Sequence, residues 1–99
     1  MDLTESQKRY LRGLGHKLKP MVTVGGAGVS EPLLKEFDAT IEHHELVKVR
    51  FRVTDREQRD ALIDQLCNKG NAALVSRVGH TALLYRPNHD ARKIQLPPA

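Results

Sequence analysis

The sequence is poor in cysteine and in aromatic residues, and it has no long apolar run. Its single cysteine, Cys67, excludes an intramolecular disulfide and is typical of a protein from a reducing compartment. With no Trp, two Tyr and two Phe, the chain lacks the side chains of an aromatic base-stacking platform. No apolar segment approaches the roughly 20 residues of a membrane-spanning helix, and the stretch from Met1 to Thr4 lacks a signal-peptide pattern. These absences predict a cytoplasmic protein.

Positive charge and a moderate apolar content are what the sequence does have. The 99 residues include 16 Lys and Arg against 12 Asp and Glu, which gives a net charge of +4, and 39% of the residues are hydrophobic. This apolar fraction is too high for a disordered chain, and the length is that of one small domain. The charge favours an anionic partner, which on composition alone is a nucleic acid, an acidic protein or a membrane surface.

Capping residues and apolar spacing predict three helices. The first begins after Thr4, which has the spacing of a capping box with Gln7, and it ends near Gly15, ahead of Pro20. The apolar stripe of this helix consists of Leu11, Leu14 and Leu18.

The second and third helices also have clear boundaries. Ser30 is a good N-cap for the second helix, which ends at His44. Asp55 caps the third helix, and Gly70 is expected to end it as a C′ glycine. The apolar residues of the two helices are Leu33, Phe37, Ile41, Leu62, Ile63, Leu66 and Cys67. The thiol of Cys67 is therefore predicted to be a core group and not a nucleophile.

The clearest periodicity in the chain runs from Leu46 to Val53 and predicts a half-buried strand. One face of this strand carries Val47, Val49, Phe51 and Val53. The other face carries Lys48, Arg50 and Arg52. Such a cationic stripe is either a solvated edge that deters aggregation or part of a binding surface, provided that neither the first nor the third helix covers it.

Three further strands complete an α/β (α+β) fold of order α-β-α-β-α-β-β, with a mixed four-stranded sheet packed against helices. Its strand–helix–strand units predict right-handed parallel crossovers. The additional strands are Met21 to Val24, Ala72 to Val78 and Thr81 to Tyr85, the last two joined by a tight turn at Gly79-His80. We expect a single domain over residues 1–96, with Ile94 and Leu96 docked on it, and a flexible tip over residues 97–99.

A G-x-x-G motif lies between the first strand and the second helix. The motif consists of Gly25, Gly26, Ala27 and Gly28. A glycine pair at this spacing is common by chance, and a plain strand-to-helix turn with positive φ also explains it. Its context favours phosphate contact, because lysines precede it and a helix N-terminus with unpaired N–H groups follows it. KH domains clamp a nucleic-acid backbone with such a loop.

The sequence favours nucleic-acid binding through backbone and shape, without reading of splayed bases and without enzymatic activity. His43-His44-Glu45 diverge at a helix end, so no metal site is expected there, and no nucleophile, base and orienting group converge. We expect no cofactor. The candidate binding residues are Lys17, Lys19, Gly25, Gly26, Ala27, Gly28, Lys48, Arg50 and Arg52.

Several blocks of the sequence together resemble the bacterial YhbY proteins, which are stand-alone CRM (chloroplast RNA splicing and ribosome maturation) domains. The blocks are Gln7-Lys8-Arg9 with Leu11 and Leu14, His16-Lys17-Leu18-Lys19-Pro20, Val24-Gly25-Gly26-Ala27-Gly28, His43-His44-Glu45-Leu46-Val47-Lys48-Val49 and Leu84-Tyr85-Arg86-Pro87. They occur in the family's order from about Thr4 to Leu96. Two positions depart from the pattern, since Lys17 stands where relatives often carry proline and Gly15 where alanine is common.

The resemblance implies an RNA-binding domain whose fold is similar to the C-terminal domain of translation initiation factor three. It also implies association with precursors of the large ribosomal subunit, so the expected partner is large-subunit ribosomal RNA. The family's loop maps onto residues 25–28 and its basic surface onto Lys17, Lys19, Lys48 and Arg50. We expect the protein to be a monomer. The alternative is a protein-interaction module on the ribosome or an assembly factor, in which the basic stripe meets an acidic protein surface.

Overall fold

The computed structural model describes residues 2–99 and contains the predicted elements in the predicted order. The helices are α1 (Glu5–Gly15), α2 (Glu31–His44) and α3 (Arg56–Lys69), and the strands are β1 (Pro20–Val24), β2 (Leu46–Phe51), β3 (Ala73–Val78) and β4 (Thr81–Tyr85). β2 ends at Phe51 and not at Val53 as predicted, because β1 ends opposite it, at Val24.

The strands form one mixed sheet in the order β1-β2-β4-β3. β1 and β2 are parallel and are linked through α2, whereas β4 runs antiparallel to both β2 and β3. Thr81, the first residue of β4, lies opposite Arg50 near the end of β2. The ends of β1 and β2 and the β3–β4 turn therefore meet along one border, which we call the loop end of the sheet.

The face of the sheet that carries Val47, Val49 and Phe51 holds the main core, as predicted. α2 and α3 pack on this face. The buried members of this core are Val22, Val24, Phe37, Ile41, Val47, Val49, Phe51, Leu62, Ile63, Leu66, Ala82 and Leu84. Each Val, Leu, Ile or Phe side chain in this core stabilises the fold by about 1.5–3 kcal/mol when it leaves water. Cys67 packs against the same core, as predicted.

α1 covers only part of the opposite face of the sheet. The smaller core beneath it consists of Leu11, Leu46, Val75, Leu83 and Tyr85. Ile94 and Leu96 pack against this core, which confirms their predicted docking. Leu14 is 41% exposed, so its predicted place in the apolar stripe is wrong. Arg50 and Val78 remain exposed, because α1 does not reach the loop end of the sheet.

The predicted N-caps are all present. The Gln7 N–H donates to Thr4 Oγ1 at 3.1 Å, and the Thr4 N–H donates to Gln7 Oε1 at 3.0 Å, which completes a capping box. Ser30 caps α2 and Asp55 caps α3 through their side-chain oxygens. These contacts satisfy N–H groups that the helices themselves leave unpaired.

The C-terminal end of α3 differs from the expectation of a left-handed glycine. Gly70 has φ −88°, and the next residue, Asn71, takes the left-handed conformation with φ 51°. Glycine is nevertheless required at position 70, since an added Cβ would lie 2.6 Å from the ring of Phe37. The reason is close packing and not backbone conformation.

Glu45 fastens the C-terminal segment to the domain, a role that no sequence pattern indicates. It is fully buried and takes a left-handed φ of 63°. Its carboxylate accepts hydrogen bonds from the backbone N–H groups of Asn88, Lys93 and Ile94 at 2.7, 2.8 and 2.7 Å. Burial raises the pKa of this carboxyl. The three N–H donors and the positive charge of Arg92 together lower the pKa by more than burial raises it, so the pKa lies below its ordinary value.

Candidate nucleic-acid interface

Residues 25–28 form the turn that carries the chain from β1 to α2. The Gly28 N–H donates to the Gly25 carbonyl at 3.0 Å and closes the turn. Within residues 2–99, the N–H groups of Gly26 and Ala27 donate to no other backbone group. Both residues are exposed. The turn therefore leaves two adjacent backbone donors at the surface.

The fold requires glycine at one position of this turn but not at the other two. Gly28 takes a left-handed φ of 72°, and an added Cβ would lie 3.3 Å from Cδ2 of Leu62, so the fold requires glycine there. Gly25 and Gly26 do not have a positive φ, and a Cβ at either position would meet nothing within 4 Å. The interpretation as a plain turn thus accounts for Gly28 and leaves the other two glycines unexplained.

Two arginines lie next to this turn. The backbone N–H of Arg52 donates to the Val24 carbonyl at 2.8 Å, which joins the end of β2 to the start of the turn. Arg50 and Arg52 are exposed and line an open cavity of about 350 Å³, together with His80 of the β3–β4 turn. The parallel pairing of β1 and β2 thus brings residues 25–28 and both arginines to the loop end of the sheet.

Lys48 is less available than the predicted stripe implies. It is half-buried, and its Nζ donates to the Leu18 carbonyl at 2.9 Å, because the connection from α1 to β1 crosses the sheet beside it. An ammonium group has three donors, so two remain for a ligand. Lys17 and Lys19 lie exposed in that same connection. The hydrogen bond to Leu18 holds Lys48 beside the connection that carries Lys17 and Lys19, and Arg50 follows Lys48 on the same face of β2.

A second cavity, of about 480 Å³, lies between α1 and the β3–β4 hairpin, and we call it the α1–hairpin groove. Its lining consists of Arg12, Gly15, His16, Pro20, Lys48, Ser76, Val78, Thr81 and Leu83. Arg12 and His80 are surface residues that the sequence prediction missed. Arg12 is one of the cations around the apolar stripe of the first helix, but its place in the groove, like that of His80 beside Arg50, depends on how α1 and the hairpin lie on the sheet.

In the part of the chain that the structure describes, the two cavities have no acidic residue in their lining. Among residues 2–99, no Asp or Glu lines either cavity. The salt bridges of residues 2–99 involve no residue of either lining; they are Arg59–Asp60, Arg77–Asp60, Arg86–Asp38 and Arg86–Glu42. Arg12, Lys48, Arg50 and Arg52 therefore form a cationic face with no carboxylate between them, and such a face attracts a polyanion.

Neither a metal-binding cluster nor an ionised thiol is found in residues 2–99. In residues 2–99, no three His, Cys, Asp or Glu side chains are placed to hold a metal ion. Burial and the nearby charge of Asp64 raise the pKa of Cys67 to about 11, so this thiol stays protonated at neutral pH. None of the helices between residues 2 and 99 has the length and apolar character of a membrane span.

The fold and this face define a small α/β domain with a cationic surface built around a glycine turn. The family model of the CRS1 / YhbY (CRM) domain matches residues 3–86, and the chain belongs to this family. The predicted family resemblance is thus confirmed.

Relatives match almost end to end. The chain is 43% identical over 95 residues to an "RNA-binding protein" of Haemophilus influenzae, which covers 96% of this chain and 95% of the relative. It is 33% identical over 95 residues to "Probable RNA-binding protein YqeI" of Bacillus subtilis, covering 96% and 99% of the two chains. The solution structure of the hypothetical protein SAV1595 from Staphylococcus aureus is similar with a TM-score of 0.83 and 33% identity, over 97% of this chain and 100% of that one.

Proposed function

We propose that this protein binds RNA by gripping the phosphate backbone at the loop end of the sheet. The observation that carries the proposal is the pair Gly25 and Gly26, where the fold does not require glycine but side chains are absent. Bare backbone at this point lets a phosphate approach the N–H groups of Gly26 and Ala27 closely. The names of the family relatives, which describe RNA-binding proteins, support the same conclusion.

The neighbouring arginines supply the charge for this contact. Arg50 and Arg52 flank the turn and form no salt bridge within residues 2–99. Glu31 lies in the first turn of α2, so it offsets part of the positive helix terminus. We therefore assign most of the attraction for RNA to the arginines and the turn. Lys17, Lys19 and Lys48 hold phosphates further along the bound RNA strand.

The proposed RNA is that of the large ribosomal subunit, bound in precursor particles in the cytoplasm during ribosome assembly. This part of the proposal is supported by the resemblance of the sequence blocks to bacterial YhbY proteins. We propose a binding protein without catalytic activity, because the cationic face offers charge and backbone donors but no converging nucleophile and base.

A salt titration of RNA binding tests the backbone grip. If phosphate contacts dominate, the logarithm of the association constant falls linearly with the logarithm of salt, with a slope of about −0.7 per contact for a single strand. An Ala27→Asp variant places a carboxylate beside the exposed donors and should weaken binding strongly while its melting temperature stays nearly unchanged. RNA affinity that does not depend on salt, or that survives Ala27→Asp, would contradict the proposal.

Nuclease treatment separates RNA binding from a protein-interaction module. The tagged protein is sedimented with ribosomal particles from a bacterial lysate before and after digestion of exposed RNA. Loss of co-sedimentation after digestion supports direct RNA contact. Persistence after complete digestion would show that a protein surface holds the chain.

A further inference from the structure

The walls of the α1–hairpin groove are more apolar than the loop end of the sheet beside it, where Arg50 and Arg52 lie. Pro20, Val78 and Leu83 contribute apolar surface, and Val78 is 80% exposed. Ser76 and Thr81 bring two half-buried hydroxyl groups to the same cavity. A surface used only to hold phosphates has no need of exposed apolar side chains, because phosphates are bound by charged groups, N–H donors and hydroxyls.

We infer that this groove receives an unpaired base of the bound RNA, an inference that rests on the proposed function and extends it. A base has apolar faces, hydrogen-bonding edges and a phosphate attached on either side. Extruded bases are held between apolar side chains or on arginine planes, while polar groups contact their edges. Pro20 and Val78 can contact the faces, the two hydroxyls can hydrogen-bond to the edges, and Arg12 can stack or hold the adjacent phosphate.

The position and size of the groove agree with this occupant. Thr81 lies opposite Arg50 in the β2–β4 register, so the groove adjoins the arginines that flank the turn. A strand whose backbone follows Arg50 and Lys48 thus passes along the groove. The cavity of about 480 Å³ falls within the range of about 300–1,000 Å³ typical of small-ligand sites. An acidic peptide would also be attracted by the charge, but the combination of apolar walls, hydroxyl groups and flanking cations matches a base joined to phosphates.

If the groove receives an unpaired base, the protein should prefer single-stranded over double-stranded RNA. In a duplex the bases are stacked and paired, so only the backbone contacts at the loop end remain available. The sequence favours backbone and shape recognition over reading of splayed bases because aromatic residues are scarce, and the proposed groove adds one base contact to that prediction. Aliphatic side chains and an arginine take the place of the missing aromatic rings.

Removal of the two hydroxyls tests the inference without changing any charge. The variant Ser76→Ala/Thr81→Val is compared with Ser6→Ala/Thr40→Val, which removes the same groups outside the groove. Ser6 is exposed on α1, and Thr40 Oγ1 donates only to the Glu36 carbonyl of its own helix at 2.8 Å. The probes are a short mixed-sequence single-stranded RNA and a blunt duplex of the same length. A melting curve of each variant confirms that it is folded.

The groove variant should bind the single strand about tenfold more weakly and the duplex within about twofold of the parent protein, whereas the control changes neither. A single strand carrying 4-thiouridine should crosslink to residues 76–83 in the parent protein. Equal losses for both probes, no loss for either, or crosslinks confined to residues 25–30 and 50–54 would overturn the inference. In each of these cases a loss of binding in Ala27→Asp would leave the proposed backbone grip standing, so the two proposals fail separately.

Discussion

Gly26 and Gly28 stand two residues apart in one turn, yet the structure accounts for only one of them. Gly28 has a left-handed backbone, and an added Cβ would lie 3.3 Å from Leu62 Cδ2, so the fold requires glycine there. Gly26 has an ordinary backbone with open space around it, so the fold leaves its glycine unexplained. The turn interpretation therefore accounts for Gly28, and the proposed phosphate contact offers a reason for Gly26.

Alanine at these two positions should separate stability from binding. Gly28→Ala is expected to lower the free energy of unfolding by about 1–2 kcal/mol, because a Cβ is strained in the left-handed region. Gly26→Ala should change it by less than about 1 kcal/mol but weaken RNA binding about fivefold. Urea unfolding and RNA titration of both variants measure the difference. Equal RNA affinity for the parent and Gly26→Ala would show that a side chain there is harmless.

Glu45 predicts a specific dependence of stability on pH. Its pKa in the folded protein lies below the ordinary value of 4.5, so its stabilising effect is complete above that value and is lost as the pH falls through the folded pKa. Glu45→Gln should cost about 2–4 kcal/mol near pH 7, because the amide supplies only one acceptor oxygen for three partly buried N–H groups. Urea unfolding of both proteins from about pH 7 to about pH 3 should show the difference shrinking at the acid end. A constant difference over that range would contradict this assignment.

β2 is the element in which sequence pattern and structure agree best. Its alternation identified Val49 and Phe51 as core residues, and both are buried. The opposite face is more varied than the pattern suggests, since Leu46 is buried under α1, Lys48 is half-buried and Arg50 is exposed. The period of two assigns residues to faces, but it does not reveal what lies on each face.

Substitutions at two adjacent residues of β2 should therefore differ greatly in their effect on the free energy of unfolding. Val49→Asp places an unpaired charge in the main core and should destabilise the protein by about 4 kcal/mol or more, enough to unfold much of it. Arg50→Ser should change the free energy of unfolding by less than about 0.5 kcal/mol, since the side chain is exposed. Circular dichroism melting curves distinguish the two. A cooperative, unshifted transition for Val49→Asp would refute the packing of this face.

The stability of the domain depends on the C-terminal segment that follows residue 86, where the match to the family model ends. That match ends at Arg86, but Ile94 and Leu96 complete the core under α1, and the segment supplies all three hydrogen bonds to the Glu45 carboxylate. Gln7 of α1 also donates to the Pro97 carbonyl at 3.0 Å. The C-terminal segment thus holds α1 and the end of α2 in place.

Truncation should reveal this dependence. A chain of residues 1–86 leaves Glu45 buried without its donors and exposes the smaller core, so it should lose much of the 5–15 kcal/mol typical of a small domain. A chain of residues 1–97 keeps these contacts and should melt like the complete protein. The measurement is the thermal transition of each chain. If residues 1–86 melt like the full chain, the segment is merely laid on the surface.

Sequence patterns that span only a few residues were sufficient to predict the order of the helices and strands. Caps at Thr4, Ser30 and Asp55 and the alternation of β2 act within one turn or one strand, and each gave the correct element because the physical cause is equally local. The cationic candidates and the glycine turn followed from the same short-range reasoning.

Contacts between distant residues decided the remainder. Ile94 bonds to Glu45 across 49 positions of the chain, and Lys48 bonds to Leu18 across 30. The coverage of the sheet by α1, the groove beside it and the buried carboxylate all arise from such pairs. A periodic pattern shows which side of an element is apolar, but only the packed chain shows which partner meets that side.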